Sequence, residues 1–142
     1  AVLRVDFYVL SESTADARLL AVCKLTAKAV ANGHRVFIQT ENEDEAKACD
    51  DWLWSYKPES FLAHHRVGDG AFIATAPVFI SLQTPTESDG VCLNISTRQP
   101  QGLAQFHRLL EVVGNDEASK QAARLRWQYY KQQGFSLEKH DL

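Results

Sequence analysis

The turn after the first strand-like run has no glycine. It reads Ser11-Glu12-Ser13-Thr14, with an acidic side chain where a phosphate would have to approach. Nucleotide-binding α/β proteins need a glycine-rich turn there, so that backbone N–H groups can reach the phosphate at a helix N-terminus. No Gly-Lys-Ser/Thr sequence of the Walker type occurs, and no GxSxG nucleophile elbow. The three cysteines, Cys23, Cys49 and Cys92, are odd in number, widely spaced and without CxxC or CxxH partners. They predict reduced, buried thiols in a cytoplasmic protein, not a disulfide framework or a zinc site. No signal-peptide pattern is read at the start, where Arg4 and Asp6 interrupt Ala1–Leu10. Long apolar runs are missing too. The best helical stretch, Ala15–Asn32, carries Asp16, Arg18, Lys24 and Lys28, which excludes a membrane span. Positive charge is in short supply: the formal charge of −3 argues against a general nucleic-acid binder.

At 142 residues the chain is long enough for one domain that buries roughly two-thirds of its unfolded surface. Strand and helix patterns alternate. Val5–Leu10 predicts a strand, and Ser13 with Asp16 resembles a capping box for a helix ending at Asn32-Gly33. Arg35–Gln39 predicts a second strand and Glu43–Leu53 a second helix. Pro77–Leu82 and Val91–Ser96 predict two strands whose connection is too short for a helical crossover, so they are antiparallel or not adjacent. A strand follows over Leu109–Val113. The expectation is a single α/β domain over residues 1–135, with a mixed, mostly parallel sheet and helices on both faces, followed by a polar tail at 136–142.

Two clusters stand out. Lys120–Phe135, KQAARLRWQYYKQQGF, holds Lys120, Arg124, Arg126 and Lys131 with no acidic residue and with aromatics interleaved. Asn115, Asp116 and Glu117 predict a helix start and Gly134 its stop. At roughly 100° per residue, Lys120, Arg124 and Lys131 share a stripe about 40° wide with Trp127 on its shoulder. Ala122, Leu125 and Tyr129 fall opposite, where a core-facing side is expected. Such a ridge suits an anionic ligand with an apolar part, although a solvated face that complements the helix dipole has the same spacing. The second cluster is Trp52–Phe61, WLWSYKPESF, where a helix end meets a Pro58-containing loop. Trp54 and Phe61 there either cap the sheet edge or form a patch for a protein partner. His64 and His65, adjacent in sequence, would point to opposite faces of a strand, so no metal site is expected.

The two clusters and the strand order resemble the chi-subunit family of bacterial DNA polymerase III holoenzyme. The resemblance runs through FYVL at Phe7–Leu10, RVFI at Arg35–Ile38, LW at Leu53–Trp54, PESF at Pro58–Phe61 and PVFI at Pro77–Ile80. It ends with KQxARxRxxxYxxxGF from Lys120 to Phe135. It implies a Rossmann-like domain without a nucleotide-binding loop, no catalytic activity and no cofactor. It implies two partners: the psi subunit of the clamp loader, through Trp54 and Phe61, and the acidic C-terminal tail of single-stranded-DNA-binding protein. The tail-binding positions are Lys120, Arg124, Trp127, Gln128, Lys131, Gly134 and Phe135. Trp127 stands where the family often has Tyr, and Gln128 where a basic residue is usual in the best-known relative. A repair helicase could use the Trp54–Phe61 surface as well. The competing readings are a nucleotide-dependent enzyme on the same sheet and a direct binder of single-stranded DNA.

Overall fold

The computed structural model describes residues 4–12, 14–55, 64–66, 78–82, 90–100 and 106–141. Among the described residues, seven strands and three helices follow in the order β1 (Arg4–Val9), α1 (Ala15–Ala31), β2 (Val36–Gln39), α2 (Glu43–Ser55), β3 (His64–Arg66), β4 (Val78–Ser81), β5 (Val91–Asn94), β6 (Arg108–Val113), α3 (Glu117–Gln132) and β7 (Ser136–Asp141). The strands form one sheet in the order β3-β4-β2-β5-β6-β1-β7. Every pairing in it is parallel, so the sheet goes further than the mostly parallel one expected. β4 and β5 are separated by β2, which is the second of the two arrangements that their short connection allowed.

Because side chains alternate across a strand, the sheet divides its apolar residues between two layers. Val36, Ile38, Val78, Ile80, Leu93, Leu110 and Val112 face α1 and α2. Val5, Phe7, Phe37, Phe79, Cys92, Leu109 and Val113 form the other layer, where Ala123 and Tyr130 of α3 pack. The helix ends follow local chemistry. Thr14, not Ser13, caps α1, its side chain accepting from the Ala17 N–H at 3.2 Å. Gly33 follows the cap Asn32 with a φ of 84°, a conformation open to glycine. An Arg18–Glu45 ion pair joins α1 to α2. Cys23, Cys49 and Cys92 are all free and buried, as expected. Burial pushes the Cys23 thiol up to about 11 and the Cys49 thiol up to about 12.

Residues 136–141 are not a tail. They pair with β1 along its full length as the edge strand β7, with Leu137 partly buried in the α3-side layer. Ser-Leu-Glu-Lys-His-Asp has a single apolar residue, and pairing with the β1 backbone carries this mostly charged edge strand. Among the described residues, no helix is long and apolar enough to cross a membrane.

The candidate peptide groove

β1 and β6 are neighbours, yet the connections that leave them go opposite ways. β1 leads through α1 to β2 on one side, and β6 leads through α3 to β7 on the other. Such a reversal opens a crevice at the carboxyl ends of the two strands, where open α/β sheets place their ligands. The β1–α1 turn sits there with Ser11 and an exposed Glu12, and Ser11 spends its carbonyl on the Asn115 side-chain amide at 3.0 Å.

A cavity of about 600 Å³ occupies this position. Phe7 and Val9 of β1, Val113 of β6 and Ala123 of α3 give it an apolar floor. Lys120, Arg124, Trp127 and Gln128 form the α3 wall, and Lys139 and Asp141 of β7 stand across from them. The Trp127 ring is held by Phe7, with centroids 5.1 Å apart, so it is a fixed plate more than a mobile side chain. Arg124 is exposed and, among the described residues, its guanidinium pairs with Glu117 alone, at 3.3 Å, a solvated pair worth little that a carboxylate from outside can displace.

α3 is set in place from both ends. Asp116 caps it by accepting from the Ser119 N–H at 3.0 Å, and Gly134 with a φ of 81° ends it. Its rotation about its own axis differs from the expected one. Ala123, Arg126 and Tyr130 face the sheet, whereas Leu125 is 75% exposed and Tyr129 39%. The cause is Glu111, fully buried in the middle of β6. Its carboxylate accepts from Arg126 Nε at 3.1 Å, from the Tyr130 hydroxyl at 2.6 Å and from Asn94 Nδ2 at 2.9 Å. Burial pushes the Glu111 carboxyl above its usual range, and Arg126, Tyr130 and Asn94 only partly offset this. Satisfying that carboxylate outweighs burying Leu125. Arg126, one of the four cations of the Lys120–Phe135 segment but not of its Lys120, Arg124 and Lys131 stripe, is a core residue.

Of the seven positions expected on the tail-binding face, the cavity gathers Lys120, Arg124, Trp127 and Gln128. Lys131 is exposed further along α3, outside the cavity lining, and Gly134 serves the turn after the helix. Phe135, expected to wall an apolar pocket beside Trp127, is partly buried against the α3-side layer, with its ring 6.1 Å from that of Tyr130, and does not line the cavity. Lys139 and Asp141 are groove residues that sequence reasoning missed, because their strand was read as a tail. Trp54 lies in the last turn of α2. Its side chain, and all of Phe61, lie outside the described residues. Asp6, Glu138 and His140 could bring three ligand atoms within 4.8 Å of one another. Arg4 and Arg108 already hold the Asp6 carboxylate, placing positive charge where a metal cation would sit.

The molecule is thus a doubly wound parallel α/β protein whose switch-point crevice offers cations and rings in place of a phosphate-binding turn. Residues 3–138 match the family described as DNA polymerase III chi subunit, HolC. The chain belongs to that family, and with it to the accessory subunits of DNA replication. DNA polymerase III subunit chi of Pseudomonas aeruginosa is 33% identical over 140 residues, covering 98% of this chain and 96% of the relative. The Escherichia coli subunit of the same name is 31% identical over 137 residues, covering 92% of each. That of Haemophilus influenzae is 28% identical over 134 residues, covering 93% of this chain and 92% of the relative.

Proposed function

We propose that this chain is a non-catalytic accessory subunit of the replicative polymerase, bridging psi in the clamp loader to the acidic C-terminal tail of single-stranded-DNA-binding protein. The observation that carries the reading is the groove: an apolar floor that includes Phe7 and Val9, with Trp127 on its wall, between the cations Lys120 and Arg124 on α3 and Lys139 on β7. A short peptide with aspartates or glutamates and an apolar residue at its free carboxyl end matches both halves. The ring of that residue enters the floor, and Arg124 can grip a carboxylate through two parallel hydrogen bonds. Gln128, on the same wall, keeps a donor but gives no charge. Psi would sit elsewhere, on the surface that includes Trp54 and Phe61.

The test is a titration of the full chain with such an acidic peptide. Arg124→Ala is expected to weaken binding at least tenfold, about 1.4 kcal/mol. Because the cations are solvent-exposed, affinity is also expected to fall as salt rises through the physiological range. Superimposable curves for wild type and Arg124→Ala would remove the groove as the tail site. For the other surface, Phe61→Ala is expected to abolish co-elution with psi while peptide binding survives. Normal one-to-one co-elution of that variant would count against the psi assignment.

A further inference from the structure

The opposite end of the sheet carries a second basic cavity, unrelated to the peptide groove. It measures about 290 Å³ and lies where β1, β5 and β6 begin, beside the last turn of α1. Arg4, Arg108, Lys28, His34 and His107 converge on it.

Arg4 and Arg108 are register partners on adjacent parallel strands. Like charges placed side by side on a sheet repel, so the pair needs a reason and a counter-charge. The counter-charge is Asp6, which is fully buried. It accepts from Arg108 Nε at 2.7 Å and Arg4 Nη2 at 3.3 Å, and it contacts His140 Nε2 at 2.9 Å. A single buried carboxylate thereby fixes two guanidiniums without neutralising both. Glu138 on β7 reaches Arg4 Nη2 at 3.3 Å and offsets part of the remainder at the rim. Lys28 adds a further cation from α1. Among the described residues, the side chains of Lys28, His34 and His107 make no hydrogen bond or ion pair, although the two imidazole rings lie 6.5 Å apart. The carbonyls that end α1 do not spoil the site for an anion. Those of Lys28, Ala29 and Val30 accept from the N–H groups of Asn32, His34 and Gly33 at 3.2, 3.0 and 2.9 Å.

We propose that this cavity binds a phosphate group. It has the size for one tetrahedral anion. It also has the donors: two oriented guanidiniums, an ammonium and two imidazoles that make no hydrogen bond or ion pair among the described residues. Two sources present that chemistry, a phosphomonoester such as a nucleotide and the phosphodiester of single-stranded DNA. The site is independent of the peptide groove, and its test does not touch that reading.

The full chain is titrated with inorganic phosphate at constant ionic strength, with chloride as the balancing salt, while the imidazole resonances of His34 and His107 are followed by NMR. Both are expected to shift and saturate. Lys28→Gln, at an exposed residue outside the Asp6 network, is expected to weaken saturation at least threefold. Lys47→Gln, an equal charge change on exposed α2 surface, is expected to leave it unchanged. Non-saturating shifts, or equal losses in the two variants, would reduce the effect to general charge and overturn the site. Parallel titrations with thymidine 5′-monophosphate and with an oligothymidylate lacking terminal phosphates identify the source. Saturation of the same two resonances at lower concentration by one of them names the monoester or the diester.

Discussion

Arg126 Nε lies 3.1 Å from the Glu111 carboxylate, between α3 and the sheet, and this pair decides which way α3 faces. Both side chains are almost wholly buried, at 6% and 0% exposure. With Arg126 and the neighbouring Tyr130 committed inward, Lys120, Arg124 and Trp127 turn to the flank beside β1 and β7, where the groove is. The buried pair is thus a positioning device for residues that do not touch it.

Removing one partner of a buried pair leaves the other without compensation, which costs about 3–5 kcal/mol. Arg126→Ala is expected to lower stability by about that amount in urea unfolding. The double variant Glu111→Gln with Arg126→Met is expected to recover part of the loss, since it buries no charge and keeps an acceptor for the Tyr130 hydroxyl and the Asn94 amide. Should Arg126→Ala unfold at the wild-type midpoint, the pair does not hold α3.

Acid should loosen the β1 end of the sheet. Burial pushes the Asp6 carboxyl up, but hydrogen bonds from Arg108, His140 and Arg4 outweigh it and hold the group below its ordinary range. A depressed carboxyl contributes stability above its unfolded pKa, about 3.9, and loses it as pH falls through the lower folded value. Asp6→Asn is therefore expected to be less stable than wild type at pH 7 and to lose less on acidification below about pH 4. Unfolding free energies at several pH values give both profiles. If they run parallel, the Asp6 linkage is wrong.

Gly90, just before β5, has a φ of 104°, and a Cβ there would meet the Arg35 carbonyl oxygen at 2.4 Å. That oxygen accepts the Val91 N–H at 2.8 Å, so moving it away breaks the start of β5. Strain and clash together predict that Gly90→Ala costs at least about 2 kcal/mol. A thermal melt matching wild type would show that the turn can relax.

The sequence pattern revealed the strands that are buried on both faces, because their apolar runs are short, β-branched and bounded by turns. VFIQ, VFIS and VCLN became β2, β4 and β5 nearly as bounded. Lys120, Arg124 and Trp127 were legible together because helical spacing groups them without knowledge of the sheet; Gln128 is implied only by the family resemblance, and Lys131 of the same stripe falls outside the cavity. The rotation of α3 was not legible. It depends on Glu111, whose burial beside Arg126 is a contact between segments and leaves no periodic trace within either. The local sign was one glutamate set among four apolar residues in the strand RLLEVV. β7 was missed for a related reason: its backbone partner is β1, at the other end of the described chain.

That placement has a kinetic consequence. β1 is inserted between β6 and β7, and its contacts to β7 join residues 134 positions apart, as in His140 with Asp6. Long loops close slowly and gain nothing until they close. Phe7 and Val9 supply the groove's floor and Lys139 its far wall, so neither exists as a binding surface before this closure. A chain still emerging from the ribosome, or a fragment without β1, would carry the basic helix but no groove. On the proposed function, peptide capture would report complete folding.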